Sequence, residues 1–139
     1  MRPEYEIGDH PSDLELKVRG KTREELFLNA ARAVGEFITP RPGSGPPARR
    51  IIRLSAENRE ELLVAWLNEI LFLLQSGRIK FHRFRFRELS GTSLRAVGEG
   101  RKLAAKELRG CPEVKAATYH DLFIRKIPRG WEAHVILDL

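Results

Sequence analysis

Cysteine is almost absent from this chain of 139 residues; Cys111 stands alone. No intramolecular disulfide can therefore form, and a reducing compartment is the expectation. Long hydrophobic runs are missing too. The longest, residues 62–74, is broken by Asn68 and Glu69 and falls short of the roughly 20 apolar residues a membrane span requires. The opening Met1-Arg2-Pro3-Glu4-Tyr5-Glu6 has no apolar core of the kind a secretory signal carries. These absences predict a soluble, cytoplasmic protein with no membrane partner. Several chemical signatures are lacking as well: Cys/His zinc spacing, a Gly-rich phosphate loop, a dinucleotide fingerprint, a standard RNA-binding motif and a nucleophile elbow. Lysine is scarce beside arginine, 7 against 18, within a net charge of +6. Arginine's planar fork suits phosphate and carboxylate, so RNA, a nucleotide or an acidic protein fits as a partner. Genome composition or a hot habitat accounts equally well for the same bias.

What is present is enough for a fold. An apolar fraction of 42% lies far from the composition of disordered chains. The length suits a single domain over residues 1–139 that folds without staples. Leu14, Leu16 and Val18 alternate with charged residues, which predicts a strand buried on one face and ended by Gly20. Thr22 and Glu25 form a capping box. Leu26, Phe27, Ala30, Ala31, Val34, Phe37 and Ile38 then follow at helical spacing. The segment Thr39-Pro40-Arg41-Pro42-Gly43-Ser44-Gly45-Pro46-Pro47 excludes helix and central strand, and reads as an exposed loop.

Residues 50–56 predict a strand, and Asn58 with Glu61 repeats the cap logic. The next helix is apolar nearly all round, so two of its sides must be covered, by the fold or by a partner; Gln75-Ser76-Gly77 stops it. Phe84 and Phe86 alternate with Arg83, Arg85 and Arg87 in a strand, and Phe81, out of phase with Phe84, indicates either a bulge near His82 or a strand that starts after it. Residues 94–98 pair with it across Ser90-Gly91-Thr92, and residues 121–127 and 131–137 form a hairpin about Pro128-Arg129-Gly130. Residues 100–112 resist assignment. The expected class is α+β: a mixed, mostly antiparallel sheet with two main helices packed on one sheet.

Three clusters bear chemistry. Asp9-His10-Pro11-Ser12-Asp13 places two carboxylates and an imidazole on a turn entering a strand, where an Asx turn and strand cap is the simplest role. Thr118-Tyr119-His120-Asp121 would put Thr118 and His120 on one side of a strand, without the surroundings of an activated nucleophile. At the other end, Asp138 and Leu139 close a strand. If this strand end lies beside Asp13, hard anionic oxygens converge, Leu139 contributing its terminal carboxylate. Such a group repels itself unless a cation neutralises it. All-oxygen ligation favours calcium, magnesium or manganese over zinc.

The same clusters resemble the archease family. Asp9-His10-Pro11-Ser12-Asp13 is similar to that family's Asp-His-Thr-Ala-Asp opening. Gly20-Lys21-Thr22 with Glu25 and Ala30-Ala31 is similar to its first helix, and Glu61-Leu62-Leu63, Trp66-Leu67 and Glu69-Ile70-Leu71 to its second. Val114-Lys115-Ala116 with Thr118-Tyr119-His120 resembles its Val-Lys-Ala-x-Thr-Tyr-His block, and Trp131 through Asp138-Leu139 its ending. The resemblance implies a non-catalytic protein cofactor of the RtcB-type tRNA-splicing RNA ligase. That ligase uses GTP and a divalent metal to guanylylate its own histidine before joining RNA ends, and the accessory protein promotes guanylylation and repeated turnover. tRNA and GTP are then reached through the ligase. The family's calcium site carries over to Asp13, Asp138 and Leu139, the last through a terminal or backbone oxygen. Asp9, His10 and His120 are further candidates for activating the partner. Pro11-Ser12 departs from the usual Thr-Ala and bears on the turn's geometry.

Two other readings compete. A metal-dependent phosphoester hydrolase needs an open metal position and a general base, which Asp13, Asp138 and His120 can supply. A general chaperone or modulator of RNA-modifying enzymes would use Arg83, Arg85 and Arg87 as an electrostatic face, although a solvated strand face is the simpler and favoured explanation of their alternation.

Overall fold

The computed structural model describes residues 4–9 and 12–139, with the backbone alone for Asp9. The elements are β1 (Tyr5–Asp9), β2 (Asp13–Gly20), α1 (Arg23–Ile38), β3 (Pro47–Ser55), α2 (Arg59–Gln75), β4 (Ile79–Leu89), β5 (Ser93–Lys102), α3 (Ala105–Leu108), β6 (Ala116–Ala117), β7 (Phe123–Ile127) and β8 (Gly130–Asp138). They make an α+β architecture with two antiparallel sheets. The larger sheet runs β1-β2-β8-β6, with β7 also pairing with β8; the smaller runs β3-β5-β4. Among the described residues no helix is long and apolar enough to cross a membrane.

The helices do not sit on one sheet, as the sequence suggested, but between two. The reason is α2, which buries Leu62, Leu63, Val64, Trp66, Leu67, Ile70, Leu71 and Leu74 and so needs cover on more than one side. Toward the smaller sheet, the Trp66 ring meets Phe84 and Phe86 of β4 at centroid distances of 5.1 and 5.3 Å. Toward the larger sheet, the Asn68 side-chain carbonyl accepts the Ala117 amide of β6 at 2.8 Å. Gln75 brackets the Val114 backbone with two bonds of 2.9 Å. The Trp66 indole donates to the Phe27 carbonyl of α1 at 2.9 Å, which ties the two helices. One apolar cluster runs through all these elements.

Both helix starts are built as their sequences dictate. The Glu25 amide donates to the Thr22 hydroxyl at 3.1 Å, and the Glu61 amide to the Asn58 side chain at 2.9 Å. The reciprocal carboxylates reach one residue further back than a simple box, Glu25 accepting from the Lys21 amide and Glu61 from the Glu57 amide. The α2 stop differs from expectation: the left-handed residue is Arg78 (φ 54°) rather than Gly77. Gly77 is required for space, since a Cβ there would lie 2.6 Å from the Leu73 carbonyl oxygen. The Pro/Gly loop is stitched to the end of β5 by Gly45 N–H to Lys102 O and Lys102 N–H to Pro46 O, at 2.9 and 3.0 Å. The bulge near His82 is present, with a second between Phe86 and Glu88. Strands β1 and β6 and the short α3 had no clear signal.

Candidate functional site at the end of the β2–β8 ladder

Strand β2 pairs with β8 in a register that sets Asp13 opposite Asp138, Glu15 opposite Ile136, Lys17 opposite His134 and Arg19 opposite Glu132. Residues directly opposite share a sheet face, so these eight line the face turned away from the helices, while Leu14, Leu16 and Val18 meet the core. Facing pairs have Cα atoms about 4.5–5.5 Å apart. Two residues that lie 125 positions apart in the chain are thus brought side by side.

The end of β8 is held on both flanks. The Leu139 amide donates to the Ser12 carbonyl at 3.2 Å, and the Lys115 amide donates to the Asp138 carbonyl at 2.8 Å. Asp138 also pairs with Ala116 of β6, and Leu139 packs against the core. The Asp138 side chain is exposed, whereas Asp13 is half-buried with Oδ1 shielded from solvent. Two carboxylates and the Leu139 backbone oxygens therefore share one sheet end. Among the described residues, no group of three or more His, Cys, Asp or Glu side chains comes together around one point. Donors beyond the two aspartates must be backbone oxygens, solvent or residues supplied from elsewhere. An all-oxygen set of this kind suits a hard cation.

The other sequence candidates separate. Asp9 pairs through its backbone with Leu14; its side chain and His10 lie outside the described residues. Thr118, Tyr119, His120 and Asp121 do not form the strand that would align Thr118 with His120. The chain leaves β6 at Ala117 and turns. The Thr118 hydroxyl donates to the Ile136 carbonyl at 2.9 Å, which gives it a structural task. His120 is exposed and faces Asp121 at 3.3 Å.

Sequence reasoning missed the row just behind the aspartates. His134 is buried; its Nε2 lies 3.2 Å from Glu15 and its Nδ1 2.7 Å from the Asp121 carbonyl. Phe123 stacks on its ring at 5.4 Å. The signal was available: extending the period of two backwards from Asp138 reaches Ile136 and His134, and forwards from Asp13 reaches Glu15.

At the far end of the same face, Glu132 sits between two guanidiniums. It accepts from Arg19 Nε at 2.9 Å and Arg125 Nε at 3.0 Å, and Arg19 also holds Glu6 at 2.8 Å. Burial works to raise the Glu132 carboxyl, but the hydrogen bonds and charge of Arg125 and then Arg19 outweigh it and hold it below its ordinary value. Burial likewise works against the Arg19 charge, while Glu6 and Glu132 prevail and raise it. A one-residue slip of β8 would turn its whole side-chain set over. This clamp therefore helps to fix the register that places Asp13 against Asp138.

The chain matches the Archease protein family (MTH1598/TM1083) over residues 5–139. It is 41% identical to protein archease of Methanosarcina barkeri over 141 aligned positions, covering 98% of this chain and 96% of that one. The solution structure of protein 1598 from Methanobacterium thermoautotrophicum superposes with a TM-score of 0.71 at 31% identity, over 98% of this chain and 99% of that one. The crystal structure of an archease from Thermotoga maritima, described as a possible chaperone, shares the fold with a TM-score of 0.64 at 20% identity. That match covers 100% of this chain and 98% of that one.

Proposed function

The chain belongs to the archease family, and we propose that it is a non-catalytic activator of a GTP-dependent, RtcB-type RNA ligase acting in tRNA splicing. The observation that carries this reading is the register of β2 against β8, which sets Asp13 and Asp138 side by side at an end of the sheet. Around them the strand end is held by the Leu139–Ser12 and Lys115–Asp138 backbone bonds, so the two carboxylates stand on a hydrogen-bonded strand end. In this reading that edge enters the ligase's nucleotide pocket.

Asp13, Asp138 and a backbone oxygen of Leu139 are the residues that would hold a divalent cation, with calcium the best match to an all-oxygen, partly open donor set. A bound cation supplies positive charge that offsets the two carboxylates and can meet phosphate oxygen. Asp13, with one oxygen shielded, fixes the position of the pair; Asp138, exposed, is the oxygen donor available to the partner. His120, on the exposed turn between β6 and β7, is a further candidate for contact with the ligase.

The test is to add the protein to its own organism's ligase and follow guanylylation over many cycles. Repeated turnover only in its presence, with no ligation or nucleotide hydrolysis by the protein alone, is the expected result. Product exceeding stoichiometry from the isolated protein, lost on Asp13→Ala, would replace this reading with an enzymatic one.

A further inference from the structure

The smaller sheet has one face on the helices and one in solvent, and the solvent face is an ordered array of arginines. The β3-β5-β4 register gives three cross-strand rows: Arg53, Arg95 and Glu88; Ile51, Val97 and Arg85; Arg49, Glu99 and Arg83. All five arginines are exposed. Arg85 reaches Glu99 at 3.5 Å, and Glu88 is engaged by the Ser93 hydroxyl. Among the described residues, Arg49, Arg53, Arg83 and Arg95 meet no carboxylate. Arg53 stands directly across from Arg95, an arrangement that costs stability, since like charges facing across strands repel. On the edge strand β3, between Arg49 and Arg53, Ile51 leaves 56% of its surface in water.

We propose that this face binds the phosphate backbone of single-stranded RNA. Charge complementarity calls for a polyanion: five guanidiniums against two carboxylates, one of them already shared with Arg85. The guanidinium at each of these five positions suits bidentate phosphate contacts. Shape selects a single strand. The face is three strands wide, and among the described residues no helix or ribbon lies on it to enter a duplex groove. Arginines on both edge strands stand about 10 Å apart, and successive ones along a strand about 7 Å apart, so a strand laid across the sheet meets cations on both sides. Ile51 offers an apolar seat for a base between Arg49 and Arg53. The choice of RNA over DNA rests on the function proposed above. The array lies on the opposite side of the helix layer from Asp13 and Asp138, so it can hold RNA while the acidic edge engages the ligase.

The experiment is fluorescence anisotropy of a labelled 20-nucleotide mixed-sequence RNA with the full chain, without ligase, from 50 to 200 mM salt. Parallel arms use the same sequence as DNA, and polyglutamate of matched charge as competitor. Binding should weaken with salt, each phosphate contact adding about −0.7 to the log–log slope. Arg53→Gln/Arg95→Gln should weaken it at least about tenfold and make the slope shallower by about 1.4. The variant's melting temperature should stay at or above that of the wild type, and its activation of ligase guanylylation should be unchanged. Absence of RNA binding at 50 mM salt, or an unaltered slope in the variant, overturns the proposal. Preference for DNA overturns the choice of RNA, and equal competition by polyglutamate assigns the face to an acidic protein. RNA binding by a protein that fails to activate the ligase would instead leave this face standing and remove the function proposed above.

Discussion

Replacing Glu132 with glutamine keeps the side chain's shape and removes the charge that two arginines share. The Glu132 side chain is 5% exposed and Arg19 15%, while Arg125 is 62% exposed. Removing one partner of a buried ion pair costs about 3–5 kcal/mol. The solvent-facing Arg125 contact adds at most about 1 kcal/mol. Glutamine's carbonyl still accepts one hydrogen bond and Arg19 keeps Glu6, so the loss should fall at the lower end, about 3 kcal/mol. For a chain of this length that lowers the melting temperature by about 10 °C.

The pH dependence gives a sharper check. Because the Glu132 carboxyl is held below its ordinary value, its contribution is present above the unfolded-state pKa of about 4.3. It is lost as the pH falls through the lower folded value. Thermal melts of wild type and Glu132→Gln from pH 7 down to pH 3 should therefore converge as acid protonates Glu132. A variant within 2 °C (roughly 0.6 kcal/mol) of wild type at pH 7, or a gap that does not narrow as the pH falls, would refute the reasoning.

Three further outcomes follow from the geometry. Gly130→Ala should destabilise by about 3 kcal/mol in denaturant titration, because φ is +144° and a Cβ would lie 2.2 Å from the Gly20 carbonyl oxygen. Calcium at about 100 times its dissociation constant should stabilise the wild type by about 2.7 kcal/mol, read as a rise in melting temperature, and should do little for Asp13→Ala or Asp138→Ala. In the absence of calcium each alanine should melt within about 0.5 kcal/mol of wild type. Residues appended after Leu139 should depress ligase activation more than residues placed before Met1, since the Leu139 amide bonds Ser12 beside the aspartates; equal activation by both extended forms would count against a role for Leu139.

How far the chain could be read without coordinates depended on how local each cause was. Caps and amphipathic faces act within one or two turns, so α1 and α2 and their Thr22 and Asn58 starts were legible. The hairpin about Pro128 and Arg129 was legible for the same reason, its turn residues being adjacent. The second sheet was not, because what covers the far side of α2 is a pairing of β3, β4 and β5 that no single window contains. Strand β6 is two residues long, and its place is set by Asn68 and Asp138 from other elements. At the site, Asp13 and Asp138 were nameable from a motif, but their adjacency is a property of the register. His134 and Glu15 were within reach of the period of two in their own strands, but their contact with each other appears only when the two strands are paired. Thr118 and His120 misled through proximity in sequence: the turn after Ala117 gives the Thr118 hydroxyl to a backbone carbonyl and leaves His120 in solvent.

The most direct measurement is multiple-turnover guanylylation of the ligase with wild-type protein, Asp13→Asn, Asp138→Asn and the double variant, each first shown by thermal melt to be folded. Asparagine preserves size and removes charge, so the assay isolates the carboxylates. The account predicts that either single change abolishes most of the activation while the ligase's unassisted first turnover persists. The double variant should be little worse than either, as expected for two residues serving one site. If both single variants sustain turnover like wild type, the paired aspartates at the end of the β2–β8 ladder are not the working surface of this protein.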